Sequence, residues 1–305
     1  MIAFFANIFG YLLNFLYNFV GNYGLAIILF SVVVKLVMLP LSIKQQKTMK
    51  KNTKIQAEMK EIQFKYKNDP EKLNQETIAL YKRENMSPFG GCFSAIIQIV
   101  LLFSVFYLVR SPLTYMKKID TETIDTYKTI IQEAGLSKNT AYPEIEILRE
   151  IDNLKDLKNS EIDENEENNE EKTKLADQID VNKLEDLKIN MEFFGLDLSK
   201  VPTQSVGDWT VYIIPLLYVL SSFLSMKLTT SMQNGGKKEE NKEDKNEMED
   251  AMAQANKSMS LMMPIMSISI AIIAPLGLAL YWLVNNLLMI TERLILNKFL
   301  KNEEE

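Results

Sequence analysis

The sequence predicts an all-α polytopic membrane protein: five transmembrane helices, a cytosolic helical hairpin and a hydrophilic groove. Three observations carry that reading. Apolar stretches long enough to cross a bilayer, which takes roughly 20 residues, alternate with strongly charged ones. The first confident stretch, residues 23–41 (YGLAIILFSVVVKLVMLPL), holds a single full cation, Lys35. The 305-residue chain has no histidine and one cysteine, which excludes an intrachain disulfide and any Cys/His metal site. The net charge of −6 matters less than its segregation along the chain.

Each element follows in order. Residues 1–20 interleave Phe4, Phe5, Ile8, Phe9, Phe15 and Phe19 with Asn7, Asn14, Asn18, Tyr11 and Tyr17. That mixture predicts a helix lying at the interface, with a true span as the alternative. No cleavable signal is expected, because the opening residues lack a basic region and a small-residue cleavage site. The first span occupies residues 21–43 and stops at Pro40. Residues 44–88 carry eleven Lys/Arg against six Asp/Glu, and this positive excess beside a span places them in the cytosol. The turn signal Asn68-Asp69-Pro70 splits them into two antiparallel helices. Met49, Ile55, Met59, Ile62 and Tyr66 are expected to face Leu73, Ile78 and Tyr81.

Residues 89–111 form the second span, opened by Gly90-Gly91 and containing Gln98. Residues 112–208 are expected to be a long acidic extracellular loop; from 113 on, twelve Lys/Arg stand against 23 Asp/Glu. Within it, residues 158–174 (KNSEIDENEENNEEKTK) are low in complexity and expected to be disordered. Residues 209–226 form the third span, with Pro215 inside, and residues 227–258 a cytosolic loop. The next 32 residues, 259–290, are apolar throughout. One helix of that length would be about 48 Å long against a hydrocarbon core of roughly 30 Å. Pro275-Leu276-Gly277 divides it, giving spans at 259–275 and 276–291 and a cytosolic tail at 292–305. By parity the N-terminus is outside and the C-terminus inside.

Lys35 is the principal candidate for function. A charge inside a span costs about 2.5–3.5 kcal/mol on insertion scales, so it either snorkels to the headgroups or sits in a wet cavity. None of the five spans contains Asp or Glu, and Glu292 follows the last one, so no built-in carboxylate is expected. The spans do offer neutral polar groups, among them Ser31, Ser94, Gln98, Ser104, Ser221, Ser222, Ser225, Asn285 and Asn286. Ser31 precedes Lys35 by four residues and shares its helix face. Gathered on inner faces these groups could line a cavity; taken singly, each serine can instead bond its own helix backbone. Trp282 either belongs to an interfacial aromatic belt or lines the cavity opposite Lys35. Cys92 reads as a small residue for close helix packing, and the methionines at 248–266 as adaptable apolar surface or ordinary packing. There is no pair of intramembrane carboxylates, no HExxH, no GxSxG and no phosphate loop. An enzyme is therefore not expected, nor a cofactor.

These residues together resemble the YidC/Oxa1/Alb3 family of membrane protein insertases in its five-span, Gram-positive-like form. The resemblance is carried by NFVGNYGLAIILFSVVVKLVMLPL (18–41), ALYKRENMSPFGGCF (79–93) with Ile97-Gln98, FFGLDLS (193–199) and MMPIM…PLGLALYWLVNNLL (262–288). It implies that Lys35 stands in a hydrophilic groove where most members carry arginine, with Ser31, Gln98 and Trp282 as further groove residues. It implies a bacterial cell-membrane protein whose clients are nascent membrane proteins. The Sec translocon would be a partner, as would the ribosome and targeting factors through the hairpin. Lipids surround it, and no nucleic acid is a substrate. A client's acidic segment would be drawn to Lys35 while its apolar helix slides into lipid. The competing expectation is a small-molecule channel or carrier using the same polar cavity.

Overall fold

The computed structural model describes residues 1–84, 90–137, 141–159, 169–233 and 268–302. They divide into two compact units: Met1–Val32, Leu101–Val219 and Met266–Asn285 form the first, and Val33–Val100, Leu220–Ile265 and Asn286–Glu305 the second. Four described helical stretches are long and apolar enough to cross a membrane: Ile2–Val20, Tyr23–Thr48, Trp209–Thr229 and Leu276–Phe299. A shorter apolar stretch runs over Ile96–Arg110.

In the first unit, α1 (Ile2–Val20) buries Ala6, Gly10 and Leu13, one face at helical spacing. Small residues are needed there. A Cβ on Gly10 would lie 1.8 Å from the carbonyl oxygen of Tyr115, in the π-helical turn Leu113–Lys117. Phe9 meets Phe30 edge-on, with ring centroids 5.6 Å apart. The opposite face of α1, with Phe4, Ile8, Tyr11, Phe15 and Phe19, is exposed. The sequence favours an interfacial helix here; length and composition also fit a span.

The stretch FFGLDLS folds as a small ribbon, β1 (Glu192–Phe193) paired antiparallel with β2 (Leu196–Asp197). The ribbon and its flanks satisfy the open N–H groups at the starts of two long helices. α2 (Tyr23–Lys65) begins with the Tyr23 N–H donating to the Asn190 carbonyl at 3.0 Å. The C-terminal helix, Leu276–Asn302, begins with Leu276 and Gly277 donating to the carbonyls of Lys200 and Leu198, both at 2.9 Å. Phe193 packs onto Gly24, where a Cβ would come within 2.3 Å of its ring. The two helices therefore start from one common clasp.

The acidic stretch expected to be a loop is largely helical. α3 (Pro70–Arg83) belongs to the second unit, and α4 (Gly90–Arg110), which carries the Ile96–Arg110 stretch, has residues 90–100 in the second unit and 101–110 in the first. Beyond α4 come α5 (Thr121–Glu133), α6 (Pro143–Arg149), α7 (Ile151–Asn159), α8 (Asn169–Asp177) and α9 (Val181–Leu187). Ile124, Tyr127, Ile130, Ile145, Ile147, Leu154, Leu184 and Leu187 are all buried. Asp120 and Asp180 cap α5 and α9. Of the residues expected to be disordered, 160–168 lie outside the described residues; α7 and α8 flank them. Glu144 is buried and accepts from Thr114 with both oxygens, from the backbone N–H at 3.0 Å and from the hydroxyl at 2.7 Å. Burial pushes its carboxyl above the usual range.

In the second unit α2 continues through Pro40, the residue at which the sequence reading ended the first span, to Lys65. A proline costs a helix one backbone hydrogen bond, which α2 tolerates at this exposed position. Asp69 then caps α3 by accepting from the Lys72 N–H. α2 and α3 are tied by Arg83 to Glu58, by Lys51 to the Glu84 carbonyl and by Thr77 to the Met59 sulfur. Met59, Leu73 and Tyr81 line one cavity of about 380 Å³ between them. The expected facing set needs one correction. Ile78 points outward, and Leu80 with Ile55 is buried instead, because three- and four-residue steps alone do not fix which side of a short helix is inward. α10 (Ile213–Gln233) and α11 (Leu276–Asn302) complete the described elements, with residues 268–273 helical just before Pro275. Most of the expected fourth span, 259–267, lies outside the described residues.

Candidate functional site

Lys35 does have a carboxylate. Its Nζ lies 2.5 Å from Oε2 of Glu292, and the side chains are 22% and 9% exposed. This corrects the expectation of a cation without a built-in anion. The sequence reading ended the last span at residue 291, so Glu292 fell outside it. α11 carries on to Asn302 and presents Glu292 on the helix rather than in a tail. Both partners belong to the second unit.

The surroundings of the pair are polar but weakly bonded. The second oxygen of Glu292, Oε1, is buried and has no hydrogen-bond partner among the described residues. An unsatisfied buried acceptor on a charged group costs about 1–3 kcal/mol or more. One residue on, the Arg293 guanidinium donates to the Thr229 hydroxyl of α10. Upstream on α11, the Asn286 amide donates to Ser222 at 2.7 Å and to Ser221 at 3.4 Å. Thus α10 and α11 meet in this unit through side-chain hydrogen bonds, the linkage expected of helices that cannot rely on the hydrophobic effect alone.

The other expected site residues are distributed as follows. Ser31 is buried in the first unit and donates to its own helix at the Ile27 carbonyl, 2.7 Å away. This is the backbone-bonding alternative for an intramembrane serine. Gln98 lies on α4 in the second unit and is exposed. Ser94 lies on the same helix, and its side chain is outside the described residues. Trp282 and Asn285 are half-buried on α11 in the first unit. Trp282 stacks at a tilt on Tyr218 of α10, centroids 5.7 Å apart. The structure thus joins Lys35 to a residue the sequence reading placed beyond the last span, Glu292. The available signal was its i+16 spacing from Leu276 within a continuous helix-forming run. Among the described residues, no group of three or more His, Cys, Asp or Glu is placed to hold a metal ion.

An all-α membrane protein is the class these helices define, with several helices fit to span and a charge pair held between two of them. The profile of the 60Kd inner membrane protein family matches residues 15–304. The chain belongs to that family, the YidC/Oxa1 family. A protein named membrane protein insertase YidC from Caldanaerobacter subterraneus subsp. tengcongensis is 42% identical over 102 residues, 33% of this chain and 50% of that protein. One of the same name from Fusobacterium nucleatum is 41% identical over 101 residues, 33% of this chain and 49% of that protein. Another from Chlorobaculum parvum is 49% identical over 98 residues, but these are 17% of that longer protein. The matches cover half or less of each of these relatives.

Proposed function

We propose that this protein is a membrane protein insertase in which Lys35 receives acidic residues of a client segment entering a hydrophilic groove. Family membership supports the activity, and the observation that carries the mechanism is the half-buried ammonium of Lys35 on an apolar helix. At 4 Å and an effective dielectric near 20, opposite unit charges attract by about 4 kcal/mol. That offsets the cost of bringing one acidic residue to membrane depth, while the client's apolar helix gains by moving out into lipid. Neither step needs a nucleotide or a covalent intermediate.

In this reading the α2–α3 hairpin is cytosolic and meets the ribosome and targeting factors, with the Sec translocon as a further partner. Residues 112–208 form a folded outer domain above the clasp. The charge excess of residues 44–88 supports that orientation. α1 lies at the outer interface rather than across the bilayer. Lys118 sits 4.2 Å over the ring of Tyr11, at the middle of α1, and Lys117 over Tyr17. A spanning α1 would carry the Lys118 ammonium toward bilayer mid-depth, at about 2.5–3.5 kcal/mol.

The test is complementation in insertase-depleted cells with a single-span substrate bearing an acidic outer segment. Lys35→Arg is expected to insert it and Lys35→Ala and Lys35→Glu to fail. Full insertion by both neutral and reversed variants would overturn the electrostatic role.

A further inference from the structure

From the geometry of the pair, and resting on the reading of Lys35 as the client-binding cation, we infer that Glu292 is a resident placeholder. It occupies the ammonium while the site is empty and must be displaced by the client's carboxylate. It thereby sets how acidic a client must be.

Three carboxylates of the first unit divide their bonds between both oxygens. Asp208 accepts from the Thr210 N–H and hydroxyl with Oδ1 and from Lys200 with Oδ2. Glu144 divides its oxygens between the Thr114 hydroxyl and N–H. Glu150 accepts from Arg149 with one oxygen and from Asn153 with the other. Glu292 differs from these three: Oε2 meets Lys35, and among the described residues it is the one carboxylate with a buried oxygen, Oε1, that accepts no hydrogen bond. A carboxylate held by one bond gives up less on leaving than one held by three, and a client carboxylate that takes its place leaves the ammonium paired. Lys35 is suited to the exchange, because an ammonium on a four-carbon stem has three equivalent donors and can pass from one acceptor to another. Arg293, next along α11, lies within electrostatic reach of Glu292 and supplies positive charge on the same helix once Lys35 has turned.

Two substrates differing only in Asp versus Asn in the outer segment separate the possibilities. In Glu292→Gln the ammonium has lost its competitor. At limiting expression, insertion of the acidic substrate should rise about three- to tenfold over wild type, while the amide substrate stays unchanged. An unaltered acid-to-amide ratio overturns the placeholder role. If Lys35→Ala keeps the wild-type preference for acid, the underlying reading of Lys35 has failed instead. The wild-type protein gives a second, variant-free arm that holds should Glu292→Gln fail to accumulate. A carbodiimide should couple Lys35 to Glu292 in the empty protein. A stalled acidic nascent chain should suppress that product and couple to Lys35 itself, and the amide chain should do neither. Coupling between Lys35 and Glu292 that persists unchanged with the acidic chain present contradicts the exchange.

Discussion

Each compact unit of the molecule contains a lysine–carboxylate pair, and the two are built differently. In the first, Lys200 and Asp208 meet at 2.9 Å, and 37% and 32% of their side chains are exposed. Asp208 also caps the 3-10 turn Trp209–Tyr212 that leads into α10, so three donors converge on it and hold its carboxyl down at about 2. In the second, Lys35 and Glu292 are more buried, yet among the described residues Glu292 has one partner in place of three. Burial alone would suggest that the second pair is the stronger fastener. Counting donors reverses that order: the exposed, saturated pair fixes backbone, and the buried, half-satisfied pair is poised to change partner.

The largest effect that can break this comparison is charge reversal at the buried pair. Lys35→Glu places two carboxylates together, and insertion of an acidic substrate should fall by at least about tenfold, equivalent to about 1.4 kcal/mol. The double variant Lys35→Glu with Glu292→Lys restores the pair and should recover protein abundance. Next in size is the clasp that fixes the start of α2. Gly24→Val drives a side chain into Phe193 and should cost about 1–3 kcal/mol of stability, read as a lower melting temperature in detergent. Phe193→Ala in the same chain should return part of that loss, and a strictly additive double variant would show that the two do not touch.

A smaller effect sharpens the contrast from the other side. The carboxyl of Asp208 is depressed below its ordinary 3.8, so its contribution is whole above that value and disappears as pH falls through about 2. Melting temperatures of wild type and Asp208→Asn should differ at pH 5 and converge toward pH 2. The acid-to-amide preference in insertion should be the same in both. A changed preference would mean that the outer pair also handles clients. Smallest of all, Arg83→Ala removes an exposed ion pair with Glu58 and should leave the melting temperature unchanged.

The sequence made the cation legible and hid its anion, for a physical reason. Lys35 stands out because a charge amid isoleucine, leucine and valine has no cheap alternative. Glu292 sits at the edge of an apolar run, where hydropathy cannot tell a continuing helix from a charged tail. The family was readable from short stretches, and FFGLDLS among them proves to be a ribbon that, with its flanking residues Asn190 and Lys200, caps two helix starts. The fold of residues 112–208 was not readable, because Glu144, Glu146 and Glu150 look like solvated charge in the sequence and are buried in the fold. Ile78 and Leu80 lie about 200° apart around α3, so taking Ile78 as inward put the wrong side of this 14-residue helix toward α2.

The most direct measurement is the insertion of one substrate in its Asp and Asn forms by wild type and by Lys35→Ala, at matched expression. Wild type should favour the acidic form and Lys35→Ala should insert both forms equally; the same acid preference in both proteins would contradict the role given to the ammonium.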